Sequence, residues 1–257
     1  MALLAELHCH STFSDGKMSI PELVDFYGGK TFQVLSITDH ICENNSIIGA
    51  AAQFLRYTLS PSTFPIYQAI LKSEVERAWD QYRMILLPGI EVSKNSLSNH
   101  RSAHILGIGT SDYVSAELEV TDILKAIRSQ GALTAAAHPV STRRFEKQTY
   151  HLWDRKEELK DLMDVWEVAS GPVIFKEVQD SGLPIIATSD LHIPEQINSW
   201  KTLIESELHP EAILENIKKQ NVKPIFYKDC DQNGSLLSIL PMGNSSVLHR
   251  LGNKTYA

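Results

Sequence analysis

Leu7-His8-Cys9-His10-Ser11-Thr12-Phe13-Ser14-Asp15-Gly16 follows directly on the apolar run at residues 2–5, and the reading of this junction decides the fold. Such a run reads as a buried strand, and a strand that ends in polar residues delivers them to one edge of a sheet. The two imidazoles stand at i and i+2 of an extended segment, so they share a face and can reach one metal ion or one substrate. Cys9 alternates away from them, toward the core. With ten histidines in 257 residues a His-x-His pair arises readily by chance, so it gains weight only if the chain repeats the pattern.

It does. Residues 32–38 are rich in β-formers and deliver Asp39-His40, and residues 84–87 form a compact apolar strand from which Pro88-Gly89-Ile90-Glu91 carries a carboxylate out. Residues 104–108 are the next apolar run. Residues 132–137 lead into His138-Pro139, 164–168 form a strand with Glu167 at its end, and 183–188 deliver Ser189-Asp190-Leu191-His192. A last strand is expected near 201–204. Between them lie helices. Ser19 is an N-cap with Glu22 in the capping-box position and Pro21 in the first turn, opening a helix to Tyr27 that Gly28-Gly29 stop. Helical spacing recurs at 66–83, 117–130, 173–179 and 210–219, while the polar residues 41–64 read as a long loop or lid. The strand, loop, helix rhythm, repeated about seven times, predicts parallel strands in an α/β barrel with the active site at their C-terminal ends.

A chain of this length with 43% hydrophobic residues can bury one large core. One domain is expected over residues 1–228, with 229–257 breaking the rhythm as an extension of unassigned role. Cys9, Cys42 and Cys230 lack Cys-x-x-Cys spacing, which argues against a disulfide framework and against a zinc knuckle. No run of 18 apolar residues and no basic leader occurs, so a cytoplasmic protein without a membrane span is expected. The net charge of −7 counts against long nucleic acid as a partner, because nonspecific affinity comes from clustered Lys and Arg. A small anion must then be drawn by local charge. Nothing in the sequence sets the oligomeric state.

The polar residues at predicted strand ends are His8, His10, His40, Glu91, His104, His138, Asp190 and His192, with Asp15 in the first loop. Singly, each histidine reads as a satisfied core or loop residue. Jointly they exceed what one ion uses, since a catalytic zinc takes three protein ligands and an octahedral ion at most six. Two to three divalent ions are implied, and nitrogen and oxygen donors without thiolate suit Zn, Mn or Fe. His100, His151, His209 and His249 stand outside this set.

These residues resemble the PHP (polymerase and histidinol phosphatase) family of metal-dependent phosphoesterases. The resemblance lies in His8-x-His10 with Ser14-Asp15-Gly16, Thr38-Asp39-His40, Gly89-Ile90-Glu91, His104-Ile105-Leu106-Gly107, Ala137-His138-Pro139 and Ser189-Asp190-Leu191-His192, in family order across residues 8–192. It implies a distorted (β/α)7 TIM-like barrel with a trinuclear centre. His8, His10, Glu91 and Asp190 would hold a first ion, and Glu91 would bridge to a second with His104 and His138. Asp15, His40 and His192 would hold the third, at a place where some members have His instead of Asp15. The family often has an acidic residue at the position of Glu167 that contacts substrate or orients a ligand, although Ala169-Ser170 stand here where many relatives carry Asn.

Three divalent ions bring about +6 against Asp15, Glu91 and Asp190, a local excess of about +3 that would draw a small phosphorylated substrate. Hydrolysis by a metal-bound hydroxide, held by Glu91, Asp190 and His192, then needs no protein nucleophile. Arg143 and Arg144, just past His138-Pro139, are candidate phosphate clamps, and Glu167 a further substrate contact. Lys94 and Asn95 are weaker candidates. Asp39 reads either as a loop cap or as an acceptor behind His40, and Cys42 as structural filler. The expected function is hydrolysis of a small phosphate monoester, a nucleotide or a phosphorylated metabolite. Histidinol-phosphate hydrolysis and short-oligonucleotide exonuclease activity are alternatives within the family. Outside it stand a noncatalytic metal-binding domain serving a partner, and a metal-dependent amidohydrolase, which shares the barrel but often uses a carboxylated lysine.

Overall fold

The apolar runs become strands of one sheet, described in a computed structural model over residues 1–43, 57–96, 98–140, 149–229 and 236–238. In chain order the strands are β1 (Ala2–Glu6), β2 (Val34–Ile37), β3 (His40–Cys42), β4 (Ile85–Lys94), β5 (Ala103–Ile108), β6 (Leu133–Ala136), β7 (Val165–Ser170), β8 (Val173–Ile174), β9 (Ile185–Thr188), β10 (Trp200–Glu205), β11 (Val222–Lys228) and β12 (Leu236–Ser238). The longer helices are α1 (Ile20–Gly28), α2 (Phe64–Tyr82), α3 (Val120–Arg128) and α4 (Pro210–Lys218). Helix α1 begins as its sequence dictates, with the Ser19 and Glu22 side chains each bonded to the other residue's backbone amide. In α3, Val120, Ile123, Leu124 and Ile127 form the buried stripe, the i, i+3, i+4, i+7 spacing of a one-sided helix.

The sheet runs β12-β11-β10-β1-β2-β4-β5-β6-β7-β8, with β3 also on β4 and β9 on β7. Strands β1, β2 and β4 are parallel, as are β6, β7 and β9. Strand β5 is antiparallel to both its neighbours, and β10 is antiparallel to β1, so the fully parallel arrangement expected from the rhythm does not hold. The reason is the length of the connection. Residues 95–102 are too few for the crossover of a dozen or more residues that a parallel pair needs, so the chain turns straight back. Its consequence decides where His104 lies: it stands at the start of β5, opposite Ser93 near the end of β4, and so reaches the same edge as the strand ends.

Strand β4 is also longer than expected. It continues through Pro88-Gly89 and leaves β2 for β3, so Glu91 lies within the strand, opposite His40, instead of past its end. Only glycine fits at the changeover, since a Cβ on Gly89 would lie 2.8 Å from the Ser36 and Thr38 side chains.

The sheet curls until its parallel halves meet. The chain beyond β1 bridges the chain beyond β9, Cys9 opposite Leu191, with the His10 amide donating to the Leu191 carbonyl at 2.9 Å. Behind this bridge the Thr202 hydroxyl of β10 donates to the Ala187 carbonyl at 2.7 Å and accepts from its amide at 3.0 Å. The result is a mixed α/β, barrel-like sheet. One face packs Leu3, Ala5, Val34, Leu87, Leu133 and Ile186 against Ile213 and Ile217 of α4, and the other packs against α1, α2 and α3.

Strands β3, β8 and β11 lie outside the strands the sequence predicts, and the helix expected at 173–179 divides into β8 and a single turn at Lys176–Gln179. Strand β12, in the stretch read as an extension, pairs with β11. Residues 44–56, most of the expected lid, lie outside the described residues, as do 141–148 with Arg143 and Arg144. Among the described residues no helix is long and apolar enough to cross a membrane.

Candidate metal centre

Glu91 projects from β4 with its carboxylate wholly buried, and five imidazoles surround it. One oxygen, Oε2, lies 2.9 Å from His40 Nδ1, 3.3 Å from His10 Nε2 and 3.4 Å from His8 Nε2. The other, Oε1, lies 2.8 Å from His104 Nδ1 and 3.6 Å from His138 Nε2. Asp190 completes the first group, its Oδ1 3.3 Å from both His8 Nε2 and His10 Nε2. Farther out, Asp15 Oδ1 lies 3.3 Å from His192 Nε2 and 3.6 Å from His40 Nε2, with His10 near enough to join them. All nine residues singled out in the sequence therefore meet at one place: eight fall in three donor groups linked through His10 and Glu91, and Asp190 joins the one with His8 and His10. Six of them, Asp15, His40, His104, His138, Asp190 and His192, line an open cavity of about 300 Å³ together with Gln196.

The donor set fits divalent ions. Atoms that share an ion at about 2.1 Å stand about 3.0–3.4 Å apart, and the contacts of the first group run from 3.1 Å, between His8 Nε2 and His10 Nε2, to 3.4 Å. Glu91 Oε1, His104 Nδ1 and Asp15 Oδ1 are buried with no hydrogen-bond partner. Although His104 Nδ1 and Glu91 Oε1 are only 2.8 Å apart, they are misaligned for a hydrogen bond. Buried polar atoms are rarely left so, unless a ligand is meant to satisfy them.

The imidazoles are held from behind. His8 Nδ1 donates to Glu167 Oε1 at 2.8 Å, which leaves the Nε2 lone pair facing Glu91 and Asp190. His192 Nδ1 donates to the Asp190 carbonyl at 3.0 Å, and His104 Nε2 faces Asn95 Oδ1 at 3.2 Å. Glu167 lies in the middle of β7, fully buried, and also accepts from the His138 amide at 2.6 Å and the Thr188 hydroxyl at 2.6 Å. With no exposed surface and these partners, Glu167 is placed to orient His8 and the His138 backbone, the second of the two roles expected of it. Lys94 turns away, donating to the carbonyls of Ala116 and Leu118. Asp39 is a loop cap. It accepts from the Ser11 amide and from the Ser11 and Ser14 hydroxyls, closing the turn that aims Asp15. Gly16 lets that turn close, since a Cβ there would sit 2.0 Å from the His10 carbonyl oxygen.

Two of the nine hold left-handed backbone, His138 at φ 29° and Asp190 at φ 52°. Non-glycine residues adopt that region at a cost, and such strain gathers where a side chain must be aimed. At Asp190 the compensation is visible: its neighbour Ser189 donates its amide and hydroxyl to Glu6.

The electrostatics follow from crowding. Burial would raise the pKa of Glu91 and Asp190, yet the surrounding imidazoles hold both well below the usual carboxylate range. Asp15 is lowered in the same way by His192, His40 and His10, against the opposing effect of burial. Burial works against a charged His8, but Asp190, Glu167 and Glu91 outweigh it and hold its pKa well above normal. His192, despite burial, is raised to about 9 by Asp15 and Asp190, whereas burial and the rings of His192 and His40 push His10 down to about 3. The pocket holds its carboxylates ionised and is built for cations.

No protein-family model matches the chain, and no curated protein matches it. Solved structures do share its fold. A two-domain protein from Bacteroides vulgatus, containing a predicted PHP-like metal-dependent phosphoesterase, matches with a TM-score of 0.65 at 21% identity. The match covers 88% of this chain and 65% of that one, so this chain spans less than two thirds of that relative's length. An amidohydrolase from Chromobacterium violaceum, solved with sulfate and no metal, matches at a TM-score of 0.53 and 14% identity over 85% of this chain and 96% of its own. PsfC from Pseudomonas syringae matches at 0.53 and 13% identity over 88% and 91%. At these identities the likeness is one of fold.

Proposed function

We propose that this chain is a PHP-type metal-dependent phosphoesterase that hydrolyses a small phosphate monoester, a nucleotide or a phosphorylated metabolite. The observation that carries this reading is the convergence of His8, His10, Asp15, His40, Glu91, His104, His138, Asp190 and His192 around one buried carboxylate. Their grouping supports two to three ions of Zn, Mn or Fe, with Glu91 shared between groups. Divalent ions held there would supply a nucleophilic water at neutral pH and would neutralise charge on the phosphoryl oxygens.

The chain's own contribution is position and charge. Glu167, the Asp190 carbonyl and Asn95 fix which nitrogen of His8, His192 and His104 faces the centre. Among the described residues no hydroxyl or thiol lines the cavity, which favours attack by water over a phosphorylated Ser, Thr or Cys. No lysine or arginine lines it either, so neutralisation of a phosphate rests on the ions, with Arg143 and Arg144 retained as candidate clamps. A carboxylated-lysine bridge of the amidohydrolase kind has no candidate among those lining residues. A cavity of about 300 Å³ suits a phosphate with a small leaving group better than a duplex.

The test is a hydrolysis screen across nucleotides, sugar phosphates, histidinol phosphate and short oligonucleotides, with Mn and Zn compared. Turnover of a monoester that EDTA abolishes and added metal restores is expected. Hydrolysis of nothing under either metal would favour the noncatalytic partner domain, and a trapped phosphorylated side chain would overturn attack by water.

A further inference from the structure

Among the described residues lining the cavity, Gln196 alone is neither in a donor group nor, like Asp190, set against one. It sits in a single helical turn, Pro194–Ile197, that begins two residues after His192. Its carboxamide is oriented by chemistry, because Oε1 accepts from the His192 amide at 2.6 Å and from the Ile193 amide at 3.0 Å. Two N–H donors converging on one atom require that atom to be the oxygen, so the Nε2 end is unambiguous. That nitrogen carries two N–H groups and has no acceptor among the described residues, on a side chain only partly exposed at the cavity wall.

We propose that Gln196 is a substrate-binding residue, donating from Nε2 to a nonbridging phosphoryl oxygen beside His192. This rests on the phosphoesterase reading and adds to it a neutral donor in a cavity whose other described walls are imidazoles and carboxylates. An oxyanion accepts such a bond strongly, and a carboxylate at the same place would repel it.

The test compares metal-loaded wild type with Gln196→Glu, which keeps an oxygen for the two amides, and with Gln196→Met. The latter adds no charge but removes both the donor and that oxygen, so its constants are read at wild-type metal content. The readouts are KM for p-nitrophenyl phosphate, inhibition by inorganic phosphate, and metal content. Gln196→Glu should raise KM and the phosphate inhibition constant about 10- to 100-fold, and Gln196→Met about tenfold, with metal content as in wild type. If Gln196→Glu loses metal, Gln196→Met decides. Both constants within twofold of wild type in a fully loaded variant would overturn the role of Gln196 and leave the phosphoesterase reading standing. A wild type that neither hydrolyses the ester nor binds phosphate would overturn that reading, and this assignment with it.

Discussion

Glu6 and Glu91 are both fully buried carboxylates on strands of the same sheet, and their surroundings differ in kind. Glu6 is complete. Its oxygens accept from the amides of Leu7, His8 and Ser189 and from the hydroxyls of Ser189 and Tyr27, and its charge is met by the buried Lys201 ammonium at 3.1 Å. Glu91 is incomplete, ringed by imidazoles and left with an oxygen that no hydrogen bond satisfies. The first is an internal brace that fixes the chain beside His8 and Asp190. The second is arranged for a partner from outside, and this difference separates support from site.

The comparison can be broken most sharply at its two poles. Glu91→Gln should lower hydrolysis by roughly a thousandfold or more and release metal, because the carboxylate serves two groups at once. At about pH 6.5 its chelator-treated form should be somewhat less stable than treated wild type, because His8 and His40 lose a counter-charge. Glu6→Gln should do the reverse in order of cause, costing about 3–5 kcal/mol in denaturant unfolding because Lys201 is left buried without its counter-charge. Replacing the pair together, Glu6→Gln with Lys201→Met, should return much of that loss. A double variant as unstable as the single one would show that Glu6 acts through its hydrogen bonds alone.

A smaller effect is expected between the poles. Glu167→Gln keeps the shape of the brace behind His8 but weakens its acceptor, and should lower metal affinity by about 10- to 100-fold. Unchanged affinity in a chelator competition would remove Glu167 from the ligand-orienting set.

The smallest effect is in pH. His8, His40, His138 and His192 have raised pKa values, because neighbouring carboxylates outweigh burial. In chelator-treated protein their contribution to stability is fully present below about pH 6.5 and is lost as pH rises, through about 9 for His192. His10 and His104 are lowered, so they act only below about pH 6.5 and do not offset this. Thermal unfolding of treated protein should therefore fall in temperature between pH 6.5 and 9.5, by the equivalent of on the order of 2 kcal/mol. Metal-loaded protein should not follow, since ions require deprotonated imidazoles.

Eight of the nine clustered residues are legible in the sequence because each opens, interrupts or follows an apolar run with a group that burial penalises, and Asp15 is legible as the carboxylate of the loop directly after His10. The direction of β5 was not, since it depends on where β4 ends, and Pro88-Gly89 reads as a terminus although the strand passes through. Glu6 and Lys201 were passed over for the same reason that makes them informative. A lone charge inside a strand of apolar neighbours needs a buried partner, and the two lie 195 positions apart on strands that pair. Glu167 reads as a strand-end residue, but β7 continues through Ser170, which leaves it inside the strand, buried and bonded to His8. Gln196 carries no sequence signal, because its role depends on two amides that only the folded turn brings to it.

Metal stoichiometry is the most direct test of the shared centre around Glu91. Elemental analysis of the purified protein, after exchange into metal-free buffer, should give two to three equivalents of divalent transition metal per chain, and Glu91→Gln under the same treatment should give no more than about one, at the Asp15, His40 and His192 group that lacks Glu91. A wild type with no bound metal even after Zn or Mn is supplied, or a Glu91→Gln variant that keeps the full complement, would contradict it.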